Sequence, residues 1–246
     1  MKTNSEEFYV GYLEKAPPAL AAFTKKIVIA LFALAALFAV ILVSGQSAFY
    51  PSFFEFGVVK TFEGTIVEKP YPMLKVERPG QKQGDAPASS HLYLVAFGKF
   101  GAAEAVQGVD GQRVRLQGSL IYRDGETMIE ILDNSIEKVS DGIFSAQNPV
   151  SLTSAQGTVT LVGEIVDSKC FLGVMNPGHL KPHRACAIRC ISGGIPPVFV
   201  VKSADGPPKY FLLISLEGKP VNQQVLSMVA EPVRISGEVE QQGDLL

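Results

Sequence analysis

A β pattern built round a central glycine occurs twice in this chain, and that repeat limits the fold more than any other feature. FEGTIVEKPY (residues 62–71) matches LVGEIVDSKC (161–170), which sets Gly64 opposite Gly163. RVRLQGSLIYRDGETM (113–128) matches PVRISGEVEQQGDLL (232–246), which sets Gly118 opposite Gly237. Between them, HLYLVAF (91–97) corresponds to KYFLLIS (209–215). Alternating apolar and polar positions, with Asp124-Gly125 as a hairpin turn, predict strands. From residue 64 to 118 is 54 residues and from 163 to 237 is 74, so the second copy holds about twenty more. It also stops at Leu246, where the first runs on through MIEILDNSIEKV, so its last strand is expected to be short or absent.

A long first strand that bends at a glycine to serve two sheets is the habit of small five-stranded barrels. The chain is therefore predicted to be mainly β, with one N-terminal transmembrane helix followed by two OB-like small β-barrel domains. These occupy 56–139 and 158–246, joined by a polar linker at 140–157. Another two-sheet sandwich is the alternative.

Ahead of the barrels, Lys25-Lys26 precedes IVIALFALAALFAVILVSG (27–45), an uncharged apolar run about as long as a bilayer core needs. A cleaved signal peptide has a shorter run, about 7–15 residues, and a small-residue cleavage site is not evident here. The expectation is an uncleaved anchor at 25–46 after a cytoplasmic segment at 1–24. Lysines lie before the run, and only Glu55 is charged between Gln46 and Gly57, so the remainder is expected on the periplasmic side of an inner membrane. Phe49, Tyr50, Phe53, Phe54 and Phe56 suit an aromatic belt at the outer leaflet. The mean hydropathy of +0.21 agrees with a membrane segment. A net charge of −2 and the lack of a basic, aromatic-rich face exclude nucleic acid as a partner.

The extra residues of the second copy are where the chemistry gathers. DSKCFLGVMNPGHLKPHRACAIRCISGGIPP (167–197) holds all three cysteines and two of the three histidines. Pro182 suits the first turn of a helix and Gly193-Gly194 its stop, so His183, Cys186 and Cys190 share one helical face at +3 and +4 spacing. Cys170, at the end of a strand, can fold over that face. Candidate metal ligands are Cys170, His183, Cys186, Cys190 and His179, a set suited to zinc or copper.

Two other readings stand beside it. One is a disulfide from Cys170 to a helix cysteine, stapling a docking loop. The other is a reactive thiol, activated by Lys169, Lys181, Arg184 and Arg189. The C-x15-C-x3-C spacing matches neither a standard zinc nor a haem-attachment motif. No general acid–base pair supports a hydrolase. Asp167 reads equally as a strand-end turn residue or as the orienter of a histidine ligand, and His91 reads as a surface residue.

Asp167, Cys170, His183, Cys186, Ala187, Cys190, Gly193, Gly194 and Pro196 form Asp-x-x-Cys followed by His-x-x-Cys-Ala-x-x-Cys-x-x-Gly-Gly-x-Pro. This resembles a signature of exported or membrane-anchored bacterial proteins of uncharacterised function, over about thirty residues. The order of anchor then barrel is also similar to the OB-fold haem chaperone of cytochrome c maturation, whose haem-binding histidine motif is not found here. Neither resemblance carries an activity over. It is the concentration of cysteines and histidines in an insert the first copy lacks that predicts a membrane-anchored, periplasm-facing accessory protein binding a metal or redox cofactor in a membrane redox assembly, with membrane or periplasmic protein partners. The alternative is a structural subunit whose insert is a disulfide-stapled docking loop.

Overall fold

The computed structural model describes residues 16–47, 52–78, 88–139, 157–203, 206–241 and 244–246. Most of the expected N-terminal segment, Phe49 and Tyr50 of the aromatic belt, and nearly all of the linker lie outside the described residues. The chain divides into two units, Met1–Tyr50 and Pro51–Leu246.

In the first unit, α1 runs from Pro18 to Ser47, seven residues ahead of Lys25. The early start has a local cause: Pro18 takes the first helical position, where it lacks only an amide that would be unbonded anyway, and Ala-Leu-Ala-Ala follows. Its large apolar side chains are exposed all round, Phe32 at 74% and Leu42 at 66% among them. The stretch Pro18–Gly45 is long and apolar enough to cross a membrane.

The second unit begins with β1 (Ser52–Phe54), β2 (Lys60–Val67), β3 (Met73–Arg78), β4 (Ala88–Val95), β5 (Arg113–Arg123), β6 (Glu126–Ile131) and β7 (Glu137–Lys138). Strands β2, β3 and β4 form an antiparallel meander. The first half of β5 pairs with β2 and the second half with β6. Parallel pairing of β6 with β4 closes a five-stranded barrel. Its glycines are where strands cross. A Cβ on Gly64 would lie 2.5 Å from the Lys75 carbonyl oxygen, and one on Gly118 would lie 2.4 Å from that of Glu130.

The second sheet contains β8 (Thr158–Asp167), β9 (Pro197–Val201), β10 (Lys209–Leu212) and β11 (Pro232–Glu238), in the order β10-β9-β8-β11. It repeats the register of the first. Gly64 pairs with Val114, four residues before Gly118, and Gly118 pairs with Lys60, four before Gly64. Likewise Gly163 pairs with Val233, four before Gly237, and Gly237 pairs with Val159, four before Gly163. A Cβ on Gly163 would lie 2.3 Å from the Val200 carbonyl oxygen, the contact Gly64 makes with its own neighbouring strand.

The expected second barrel nevertheless does not close: among the described residues this sheet has four strands and is open. No described strand crosses at Gly237, whose added Cβ would meet nothing within 4 Å. The Leu246 carbonyl accepts the Leu212 N–H of β10 at 2.9 Å.

Successive residues of the inner strands alternate between two cores. Leu74, Leu94 and Ile129 fill the barrel, while Met73, Tyr93, Val95 and Met128 face outward onto Phe171, Leu172, Ile195, Val198 and Val200. The opposite face of the second sheet packs Ile165 and Phe199 against Ala187 and Ile191. Burial on both faces explains why HLYLVAF and PVFVV are nearly unbroken apolar runs. The expected surface position of His91 needs correcting. It is 5% exposed, and its Nδ1 and N–H both meet the Asp244 carboxylate, at 2.9 and 3.0 Å. The reason is tertiary, since the partner lies 153 residues away.

Candidate metal centre

Strand β8 ends at Asp167, and its carboxylate shapes the turn beyond it. Oδ1 accepts the Cys170 N–H at 2.8 Å, closing a turn that carries the chain into a short π-helical segment, Cys170–Val174. Oδ2 lies 2.9 Å from His183 Nε2. One oxygen thus shapes the turn at the strand end while the other fixes the His183 ring. Asp167 is wholly buried and His183 is 4% exposed. With Nε2 engaged by Asp167, Nδ1 is the imidazole nitrogen left for a ligand.

The predicted helix is present as α2 (Arg184–Ser192), preceded by a 3₁₀ turn at Lys181–His183 with Pro182 in its first turn. It stops at Gly193-Gly194, where Gly194 adopts a φ of 95° that favours glycine. Helix spacing brings Cys186 and Cys190 to Cys170, whose Sγ lies 4.0 Å from each. Cys170 and Cys190 are buried and Cys186 is half-buried. A ring nitrogen of His183 and the sulfurs of Cys170 and Cys186 all lie within 4.8 Å of one another, as do ligand atoms of Asp167, Cys170 and Cys190. His179, the fifth expected ligand, stands apart from both groups. Its Nδ1 is 3.9 Å from Glu164 Oε2 and its ring packs edge-on against Phe171.

The expected disulfide also needs correcting. All three cysteines are free, and sulfurs 4.0 Å apart are far outside the bonded distance of about 2.05 Å. They do suit a shared cation: four ligands placed tetrahedrally about a zinc ion at about 2.3 Å put their sulfurs about 3.8 Å apart. Hydrogen bonding divides the thiols. Cys190 is held below the ordinary thiol range by the proton Cys170 offers it, with Lys99 adding to the effect against burial. Cys170 is pushed up, because it is the donor in that bond and is buried.

The source of positive charge also differs from expectation. Lys181 and Arg184 turn to Glu231. Lys169, which is buried, pairs with Glu130 and donates to the carbonyls of Ala96 and Gly98 at 2.8 and 2.7 Å. The cation at the sulfurs is Lys99, whose Nζ is 2.7 Å from Cys186 Sγ and 3.7 Å from Cys190 Sγ. Nothing in the sequence marks this residue. It comes from the turn after β4 in the first barrel, and AFGKFG carries no motif that would set it apart.

Beside the centre, a small cavity is lined by Tyr93, Glu126, Ser168, Phe171, Leu172, Val198 and Tyr210. Burial, with the nearby Asp244 carboxylate, pushes Glu126 up to about 7. Its folded-state value thus exceeds that of the unfolded chain. The stability it contributes is complete below about pH 4.5 and is lost as pH rises through 7. Glu126→Gln is expected to flatten that fall and leave the protein about 3 kcal/mol more stable than wild type at pH 8. Urea unfolding at pH 5 and pH 8 measures it, and an equal pH dependence in both proteins would contradict it.

Comparisons with protein-family models, curated proteins and solved structures find no match to this chain.

Proposed function

We propose that this protein is a membrane-anchored, periplasm-facing accessory protein that holds a thiophilic metal ion, zinc or copper, in the service of a membrane redox assembly. The ligands are Cys170, His183, Cys186 and Cys190. The observation that carries the reading is a group of three free thiols, with Cys170 Sγ 4.0 Å from those of Cys186 and Cys190, in which Cys170 and Cys186 also lie within 4.8 Å of a ring nitrogen of His183, an imidazole already oriented by a buried carboxylate. Soft sulfur and borderline nitrogen donors in a largely buried pocket select such ions over calcium or magnesium, which prefer oxygen.

The anchor is α1, with its N-terminus cytoplasmic because the lysines precede the apolar run. The closed barrel and the register repeated in the second sheet support a duplicated OB-like unit, of which the second copy bears the site. With its cysteines unbridged, the insert works as a ligand frame and not as a stapled loop.

Co(II) is the test ion, because its thiolate complexes are coloured. The reduced full chain in detergent micelles is expected to bind one equivalent, with an intense thiolate-to-metal band and the visible bands of a tetrahedral site. Zinc is expected to displace it. Absence of the thiolate band at saturating Co(II) would defeat the reading.

A further inference from the structure

We propose that Lys99 belongs to the metal centre as the charge partner of its thiolates, supplied by the first barrel to a site otherwise built in the second half of the chain. This rests on the metal reading above and adds to it a residue outside the cysteine-bearing insert.

Lys99 and its aromatic neighbours Phe97 and Phe100 are exposed, the latter two at 68% and 63%, so burial of those rings does not shape the turn. Polar contacts and glycines hold it instead. Lys169 donates to Ala96 O and Gly98 O, the Ala96 N–H bonds Phe100 O at 3.0 Å, and the Gly101 N–H bonds Gly193 O at 2.9 Å. The backbones also meet too closely for any side chain. A Cβ on Gly193 would lie 2.0 Å from the Lys99 carbonyl oxygen, and one on Gly101 would lie 2.3 Å from that of Gly194. Gly193-Gly194 therefore does more than end α2. It docks the loop, and docking sets the Lys99 ammonium on the sulfurs of Cys186 and Cys190.

The charge balance supplies the purpose. Three thiolates and a neutral imidazole around a divalent ion leave one negative charge in a partly dry pocket, which is costly unless a cation stands beside it. Lys99 supplies that cation, and its N–H groups point at sulfur lone pairs. A charged donor there stabilises the thiolates and draws electron density from them. It therefore strengthens binding of the ion and raises the energy of thiolate-to-metal charge transfer.

The test is Co(II) titration of the reduced full chain in micelles, comparing wild type with Lys99→Met, Lys99→Gln and Lys99→Arg. Both neutral variants are expected to bind Co(II) about tenfold more weakly or worse, the worth of a charge-assisted hydrogen bond. Their thiolate-to-Co(II) band is expected at lower energy, a shift that a merely structural residue would not produce. Lys99→Arg should retain both properties near wild type. Unchanged affinity and band position in the two neutral variants, with a normal band in wild type, overturns the role of Lys99 alone. A wild-type protein with no thiolate band overturns the metal reading, and this inference with it.

Discussion

Asp167→Ala is expected to destabilise the folded protein by about 3 kcal/mol, because it strands two buried polar groups at once. The Cys170 N–H and His183 Nε2 each have the Asp167 carboxylate as partner, at 2.8 and 2.9 Å, in a place without solvent. Metal affinity should fall as well, by roughly 10- to 100-fold, the usual consequence of removing the carboxylate behind a histidine ligand. Asp167→Asn separates the two effects. Its carbonyl oxygen can still accept from Cys170 N–H, so most of the stability should return. Its amide, however, donates where the carboxylate accepted. His183 must then offer a lone pair at Nε2 and carry its proton on Nδ1, the nitrogen a metal needs. Near-native urea stability with weak Co(II) binding is the expected signature of Asp167→Asn. Native metal affinity in that variant would show that His183 is not oriented in this way.

Lys169→Met should cost about 3–5 kcal/mol, the range for breaking a buried ion pair by removal of one member. The Lys169 side chain is 3% exposed and that of its partner Glu130 is 12% exposed, so neither charge has water to fall back on. Methionine fills similar space yet leaves Glu130 ionised without a partner and the carbonyls of Ala96 and Gly98 without their donor. The double variant with Glu130→Gln should recover part of the loss, since it removes the orphaned charge, and a double-mutant cycle in urea isolates that coupling. Strict additivity of the two substitutions would refute the pairing. The loop that carries Lys99 would also lose an anchor, so Co(II) binding by folded Lys169→Met should weaken toward that of Lys99→Met.

The two lysines show where reading the chain alone reaches its end. Lys169 lies beside Cys170 in sequence and looks like the cation of the site, but neighbouring side chains leave the backbone in different directions as β8 runs into its turn. It ends at Glu130, in the first barrel. Lys99 is far from the cysteines in sequence and adjacent to them in space. His91 fails in the same manner, since its burial depends on Asp244. Helical spacing already groups His183 with Cys186 and Cys190, whereas the position of His179, in the loop ahead of them, is settled only by the folded turn that sets it against Glu164 and Phe171.

What the chain by itself determined was everything periodic or local. The apolar run, the glycine-centred strands and their repetition, the start and stop of α2, and the grouping of Cys186 and Cys190 on one of its faces all come from propensity and spacing within a few residues. Only the tertiary structure decided that the sulfurs stand unbridged at 4.0 Å and that the barrel lends a lysine to the insert. Those outcomes depend on which distant surfaces bury one another, and no spacing along the chain encodes that until the core between barrel and sheet has formed.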